Sequence, residues 1–100
     1  MDFRELQYVV TVADCRNITQ ASKELFISQP SLSHALAQIE KEVGAKLFDR
    51  SHQPLTLTDA GRIYVKTARP ILREKTDMKN RIADLNIGSS GDIIVGIPSG

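Results

Sequence analysis

The chain has 100 residues, of which 41% are hydrophobic and 25% charged, and its formal net charge is +1. These values predict one small soluble domain, and they carry no electrostatic sign of a nucleic-acid partner. No apolar stretch is as long as a membrane span, no secretory signal pattern opens the chain, and the single Cys15 cannot form an internal disulfide, so we expect a cytoplasmic protein.

The N-terminal residues predict a first amphipathic helix over residues 2–12. Asp2 followed three residues later by Glu5 is the pattern of a capping box. Apolar residues then recur at helical spacing, at Phe3, Leu6, Val10 and Ala13. We expect this helix to support the core.

A second, short helix is predicted over residues 20–26, with Thr19 as its N-cap. Ala21 and Leu25 share its inner face. Only residues 26–28 separate it from the next helix. Two short helices joined by a tight turn are typical of a helix-turn-helix, although many small helical proteins share that pattern.

The third helix is predicted over residues 28–44. Ser28 offers a hydroxyl cap, Pro30 lies in the first turn, and Gly44 suits a left-handed C-cap. Its apolar stripe consists of Leu32, Leu36, Ile39 and Val43. This spacing predicts one buried face.

The other face of the third helix is polar and free of carboxylates from Ser28 to Gln38. Its polar side chains are Gln29, Ser31, Ser33, His34 and Gln38. Such a face can hydrogen-bond to base edges and phosphates, as a DNA-recognition helix does. Taken alone, the pattern is more often that of a core helix with a solvated polar face, so both interpretations stay open at this point.

Residues 47–57 predict a small β-hairpin around the polar turn 51–54, in which Pro54 restricts the second run to an edge strand. A hairpin that follows a recognition helix is a wing. From it, Arg50 and His52 would reach the flanking DNA backbone or the minor groove. The alternative for Arg50 is an ion pair with a neighbouring carboxylate.

A long fourth helix is expected after Thr58 as its cap, with Asp59 in its first turn. Its heptad seam contains Tyr64, Ala68, Ile71, Met78, Ile82 and Leu85, with Lys75 as a polar interruption and Pro70 as an expected kink. The helix would be about 40 Å long, more than a head formed by residues 1–57 can cover. We therefore expect a partner helix from a second copy of the chain; packing of the seam on its own head is the alternative.

The C-terminal residues predict a change of structure. Residues 88–91, GSSG, are expected to form a flexible hinge. The apolar run at residues 93–97 is typical of a strand buried on both faces of an α/β sheet. Because one strand cannot be buried alone, the chain is expected to be the front of a longer protein.

The sequence offers little for catalysis. Its two histidines are distant, and it has no paired carboxylates, phosphate-binding glycine loop or metal-ligand spacing. We therefore expect no enzyme, no metal and no cofactor. A pure oligomerisation module would explain the heptad seam, but it leaves the carboxylate-free face unexplained.

In combination, these motifs resemble the N-terminal part of a LysR-type bacterial transcriptional regulator. The family's winged helix-turn-helix signature is matched by FRELQYVVTVADCRNITQASKELFISQPSLSHALAQIEKEVGAKLFDR, its wing-to-linker junction by LTLTDAG, and the start of its effector-binding domain by GDIIVGIPSG. The resemblance implies a mainly α fold with three parts. These are a winged helix-turn-helix DNA-binding domain with a short β-hairpin wing (1–58), a linker/dimerisation helix (59–87), and the hinge and first strand of a truncated effector-binding domain (88–100).

The same resemblance implies a homodimer that reads a pseudo-palindromic operator in double-stranded DNA through antiparallel linker helices. For the full-length protein it implies a small-molecule effector and the option of a tetramer. No membrane is involved.

The resemblance also implies roles for individual residues. The matching recognition positions are Ser28, Gln29, Pro30, Ser31, Ser33 and His34. Arg50, His52 and Gln53 match backbone-contacting positions, Thr19 a phosphate-facing one, and Ser99 one where the family often binds effector. Where the family often has arginine this chain has His34, which weakens a bidentate contact to guanine. Where the family usually has a second alanine it has Ser22, which is small enough for the same packing.

Overall fold

The computed structural model describes residues 1–89. Four helices and one hairpin follow one another in these residues: α1 (Phe3–Cys15), α2 (Ile18–Leu25), α3 (Gln29–Val43), β1 (Phe48–Asp49), β2 (Thr56–Leu57) and α4 (Asp59–Ser89). This is a mainly α winged helix-turn-helix with a short hairpin and a long C-terminal helix, so the predicted fold class is confirmed.

The start of α1 and both ends of α3 lie where side-chain capping predicts them, whereas α1 continues to Cys15, beyond its predicted end at residue 12. At the start of α1, the Glu5 amide donates to the Asp2 carboxylate at 2.9 Å, and the Asp2 amide donates to the Glu5 carboxylate at 3.3 Å. Ser28 caps α3, and Gly44 ends it with φ at +80°. Because each cap satisfies backbone groups that the helix leaves unpaired, it sets the boundary locally.

The start of α2 differs from the prediction. Its N-cap is Asn17, whose side-chain oxygen accepts a hydrogen bond from the Gln20 amide at 2.8 Å, and the helix begins at Ile18. Thr19 therefore lies within the first turn, and the prediction that it caps α2 is wrong. Asparagine is at least as good a cap as threonine, and the two lie only two residues apart.

The core forms where α1 packs against the other three helices. Its fully buried side chains include Val9, Val12, Ala21, Leu32, Leu36 and Ile39. The stripe predicted for α3 is confirmed at its first three positions, whereas Val43 is exposed. In α1 the predicted stripe missed Val9 and Val12 and wrongly included Phe3, which is exposed.

The wing is a two-stranded antiparallel hairpin, as predicted. Phe48 pairs with Leu57 and Asp49 with Thr56. The wing loop, residues 50–55, contacts the C-terminal end of α1, where the Arg16 guanidinium donates a hydrogen bond to the Leu55 carbonyl at 3.2 Å.

Helix α4 begins at the predicted cap, because the Gly61 amide donates to the Thr58 hydroxyl at 3.0 Å. The helix continues through Pro70 to Ser89, so Gly88 and Ser89 are helical rather than part of a hinge. A glycine costs a helix only about 1 kcal/mol, which is small enough for α4 to extend by two residues. The rest of the expected hinge, the strand at residues 93–97 and Ser99 lie outside the described residues.

The heptad seam of α4 is divided between two environments. Tyr64 and Ala68 are buried in the chain's own head, so the prediction that they form an exposed dimerisation seam is wrong. The reason is that α1 lies along the first half of α4. Arg69 holds this contact through an ion pair with Asp14 at 2.6 Å, which raises the pKa of the Arg69 guanidinium.

The second half of the seam is exposed. Ile71 is 40% accessible, Met78 54%, Ile82 52% and Leu85 72%. Lys75, the polar interruption, places its ammonium 4.7 Å from the centre of the Phe3 ring in a cation–π contact within the chain. Within residues 1–89, no helix combines the length and apolarity that crossing a bilayer requires.

Candidate nucleic-acid interface

The polar face of α3 (Gln29, Ser31, Ser33, His34 and Gln38) points away from the core. All of these residues are exposed except Ser33, which is half-buried, and Ser28 and Pro30 are exposed beside them. The apolar stripe Leu32, Leu36 and Ile39 lies on the opposite side of the helix and is fully buried. The helix therefore presents a continuous surface of hydrogen-bonding groups without a carboxylate.

The first turn of α3 is ordered by its own serines. The Ser28 hydroxyl accepts a hydrogen bond from the Ser31 amide at 3.2 Å and donates to the Ser31 hydroxyl at 2.8 Å. No acidic side chain lies in this turn to neutralise the positive end of the helix. A helix start of this kind attracts an anion such as a phosphate, because unpaired amides and the helix dipole act together.

Helices α2 and α3 are joined at their starts by one side-chain contact. The Thr19 hydroxyl donates to the Gln29 carbonyl oxygen Oε1 at 3.0 Å. Ala21 and Ser22, both small, are buried on the inner side of α2. The structure thus brings together two residues that the sequence placed on separate elements.

The wing loop closes a groove beside this contact. The groove is lined by Thr19 and Gln29 from the helices and by Arg50 and Gln53 from the wing. It therefore assembles four of the residues expected to contact DNA into one surface. Ser33, His34 and Gln38 continue that surface along α3, whereas His52 lies exposed in the wing loop.

Arg50 is an exposed cation without an acidic partner within residues 1–89. Of the two alternatives for this side chain, the structural ion pair is thus not observed. The neighbouring Asp49 carboxylate accepts hydrogen bonds from the Ser51 hydroxyl at 2.5 Å and the Ser51 amide at 2.9 Å, which lower the pKa of Asp49. Asp49 is thereby engaged in the wing turn and leaves Arg50 available to a phosphate.

Sequence reasoning missed Glu40, which is only 7% exposed. One carboxylate oxygen accepts a hydrogen bond from the Leu47 amide at 2.8 Å, and the other lies 3.8 Å from the Lys46 ammonium. Glu40 thus connects α3 to the residue that precedes β1. Its position four residues after Leu36, on the apolar stripe, was the available signal.

The wing is held from the other side by Thr58 and Gly61. The Thr58 hydroxyl donates to the Lys46 carbonyl at 2.6 Å, and its amide donates to the Leu47 carbonyl at 3.0 Å. A Cβ atom at Gly61 would lie 2.0 Å from the Leu47 carbonyl oxygen, so only glycine allows this approach. The base of the wing is therefore fixed to both α3 and α4.

Phe26 is a second feature that sequence reasoning missed. It ends α2 in a left-handed conformation, with φ at +59°, and is 94% exposed. Residues other than glycine rarely adopt this backbone conformation. The sequence pattern therefore favoured a helix that includes Phe26.

Comparison with known proteins identifies what the chain is similar to. The model of the family described as "Bacterial regulatory helix-turn-helix protein, lysR family" matches residues 3–62. The nitrogen assimilation regulatory protein nac of Escherichia coli K12 is 36% identical over 100 residues, covering 100% of this chain and 33% of that protein. The HTH-type transcriptional regulator BsdA of Bacillus subtilis 168 is 39% identical over 97 residues, covering 96% of this chain and 33% of that protein. The chain thus spans about a third of the length of these curated relatives.

Solved structures share the same architecture. The complex of BenM DBD with catB site 1 DNA superposes with a TM-score of 0.74 at 32% identity, covering 83% of this chain and 97% of that one. The CbnR DBD–DNA complex has a TM-score of 0.74 at 34% identity, covering 85% and 98%. Both were determined with DNA bound.

Proposed function

Because the chain belongs to the LysR family of bacterial regulatory helix-turn-helix proteins, we propose that it is the sequence-specific DNA-binding part of a transcriptional regulator. It binds a pseudo-palindromic operator as a dimer and occupies the cytoplasm. Residues 1–58 form the DNA-binding domain, α4 (Asp59–Ser89) forms the linker helix, and residues 90–100 begin an effector-binding domain. The relatives named above are regulators, and we assign this chain the same role rather than an enzymatic one.

One observation carries this proposal. The start of α3, capped by Ser28 and free of carboxylates, lies on one surface beside Arg50, a cation that has no acidic partner within residues 1–89. A core helix with a merely solvated face requires neither the absence of acids nor the wing beside it. An anionic duplex explains both, since phosphates favour the helix start and Arg50 while base edges meet the polar side chains.

The roles of the residues follow from their places on that surface. Gln29 and His34 contact base edges or nearby phosphates, and Ser31 and Ser33 hydrogen-bond to bases or phosphates. Further along α3, Gln38 contacts the backbone. The amides that open α3 hold a phosphate, while Arg50, His52 and Gln53 follow the flanking backbone. Pro30 shapes the first turn of α3, and Thr19 faces a phosphate of the DNA backbone.

The dimer uses the exposed half of the heptad seam. Ile71, Met78, Ile82 and Leu85 form an apolar stripe that the head leaves uncovered. A second α4 running antiparallel would bury it and set two copies of α3 at a fixed separation. In the full-length protein a small-molecule effector acts on this dimer, with Ser99 in its site, and the dimer can assemble into a tetramer.

A direct binding assay tests the DNA-binding proposal against a pure oligomerisation module. The chain is titrated onto a labelled random-sequence duplex, and fluorescence anisotropy is read at about 50 and 200 mM salt. A protein that makes several phosphate contacts should bind at low salt and weaken by orders of magnitude at the higher one. Dimerisation without any anisotropy change would contradict the proposal.

A further inference from the structure

The contact between Thr19 and Gln29 links two exposed side chains ten residues apart, and in the part of the chain that the structure describes it is the only side-chain hydrogen bond between α2 and α3. Exposed side chains do not usually hold each other, because water competes for both groups and each loses rotamer freedom. A hydrogen bond between two exposed side chains at the start of α3, on the proposed DNA-binding surface, therefore points to a function beyond stability.

The Thr19 side chain is held in place from within α2. Asn17 caps the helix and places Thr19 in its first turn, and the Ser22 hydroxyl donates to the Thr19 carbonyl at 2.7 Å. The β-branched side chain has few rotamers in a helix. Its hydroxyl therefore points from a rigid platform toward Gln29.

Gln29 is, in contrast, a long side chain on the first residue of α3, with three rotatable bonds of its own. Thr19 occupies one of the two lone pairs on its Oε1. Its Nε2 group makes no hydrogen bond within residues 1–89. The amide thus keeps two donors and one acceptor position for another partner, while its orientation is restricted in the free protein.

We propose that Thr19 is a positioning residue for base reading, whose hydroxyl orients the Gln29 amide toward the adenine of one A·T pair in each half-site. Adenine presents N7 as an acceptor and its N6 amino group as a donor in the major groove, and a glutamine amide complements both. Because Thr19 takes only one lone pair of Oε1, this pairing remains available. Pre-orientation reduces the rotamer freedom that Gln29 would lose on docking.

This inference deepens the proposed function and depends on it. It assigns Thr19 a part in discrimination between bases, whereas a threonine that only contacts a phosphate would add to affinity for every sequence alike. The two roles therefore predict different patterns across a set of DNA sites, and matched variants separate them.

The experiment begins with selection of a preferred duplex by the wild-type chain from a random library. Affinities are then measured for every single-base-pair change of that duplex, using the wild type, Thr19→Val, Thr19→Ser, Gln29→Ala and the double variant Thr19→Val/Gln29→Ala. Valine keeps the shape of threonine without its hydroxyl, and serine keeps the hydroxyl. Circular dichroism melts verify folding, and Thr19→Ala replaces Thr19→Val if the latter is unfolded.

We expect Gln29→Ala to abolish discrimination at one symmetric A·T position, where the wild type prefers adenine by about 5- to 150-fold. Thr19→Val should reduce discrimination at that same position by about two- to tenfold, the effect of one neutral hydrogen bond. Thr19→Ser should retain it. In the Gln29→Ala background, Thr19→Val should have no further effect there, because its partner is gone.

Three results would overturn the inference. The first is a uniform loss of affinity in Thr19→Val with unchanged discrimination. The second is an effect of Thr19→Val that persists undiminished without Gln29, and the third is guanine rather than adenine at the position that Gln29 reads. If the wild-type chain selects no preferred duplex at all, the proposed function itself fails, which is a different outcome from a selected site that Thr19→Val reads normally.

Discussion

Replacement of Glu40 tests how the wing is attached to α3. In Glu40→Ala the Leu47 amide loses its acceptor in a buried position, and an unpaired buried amide costs about 1–3 kcal/mol. For a domain of this size each kcal/mol shifts the melting temperature by about 4–8 °C. We therefore expect the melting temperature to fall by about 5–20 °C in a circular dichroism melt.

Two variants control this measurement. Glu40→Gln keeps an oxygen that can accept from the Leu47 amide, so it should recover most of the loss. Glu42→Ala removes the same charge from the same helix, but Glu42 is exposed and its contact is to the chain's N-terminal amine at 3.3 Å, so its effect should be small. The reasoning is refuted if Glu40→Ala melts within 2 °C of Glu42→Ala, or if Glu40→Gln is as unstable as Glu40→Ala.

Three further predictions concern charge, a buried phenol and the dimer. Arg50→Ala should weaken binding to all duplexes alike and reduce the slope of log K against log salt by about 1. Arg4→Ala, which removes an arginine on α1 beside α4, should leave the slope unchanged. Equal slopes for Arg50→Ala and Arg4→Ala would count against a phosphate contact by Arg50. Burial raises the pKa of Tyr64 to about 12, and its hydroxyl has no hydrogen-bond partner within residues 1–89. Because the Tyr64 phenol ionises near pH 10 in the unfolded chain but stays neutral there in the folded one, the free energy of unfolding should be constant just below pH 10 and fall toward pH 12. Tyr64→Phe should remove that fall in urea titrations. The same pH profile in Tyr64→Phe as in the wild type would contradict this reasoning. Ile82→Asp should convert the dimer to a monomer in light scattering. Ile63→Asp should not, because Ile63 is also an exposed isoleucine of α4 but lies outside the seam. A dimer that survives Ile82→Asp argues against the seam.

The sequence predicted most of the secondary structure because local chemistry sets helix ends and the spacing of apolar residues. Asp2 with Glu5, Ser28, Gly44 and Thr58 each cap a helix by contacts within a few residues. Such signals are readable without knowledge of the fold. Their limit is seen at α2, where the sequence predicted Thr19 as the cap and the structure has Asn17 instead.

Features that depend on contacts distant in sequence could not be predicted in the same way. Periodicity places Glu40 on the apolar stripe of α3, but it does not show that the chain returns after Gly44 and brings the Leu47 amide to the Glu40 carboxylate. A heptad pattern likewise records only that a face is apolar. It could not tell that Tyr64 and Ala68 face the chain's own α1 while Met78 and Ile82 remain uncovered.

The residues that we propose to contact DNA could be named from the sequence as a set, but their arrangement could not be predicted. The carboxylate-free stretch from Ser28 to Gln38 and the family signature both pointed to α3. The contact from Thr19 to Gln29 and the groove that Arg50 and Gln53 complete became visible only in the folded chain. These contacts join three elements, so no single stretch of sequence carries them.

The central claim is that the polar face of α3, presented twice by a dimer, reads a symmetric DNA site. In vitro selection of duplexes bound by this chain tests it most directly, because the enriched sequences report the motif, its symmetry and the half-site spacing together. The account predicts two inverted half-sites at a fixed separation, with enrichment lost in Gln29→Ala at one position of each half. Enrichment of no motif, or of a single asymmetric site that Gln29→Ala binds unchanged, would contradict it.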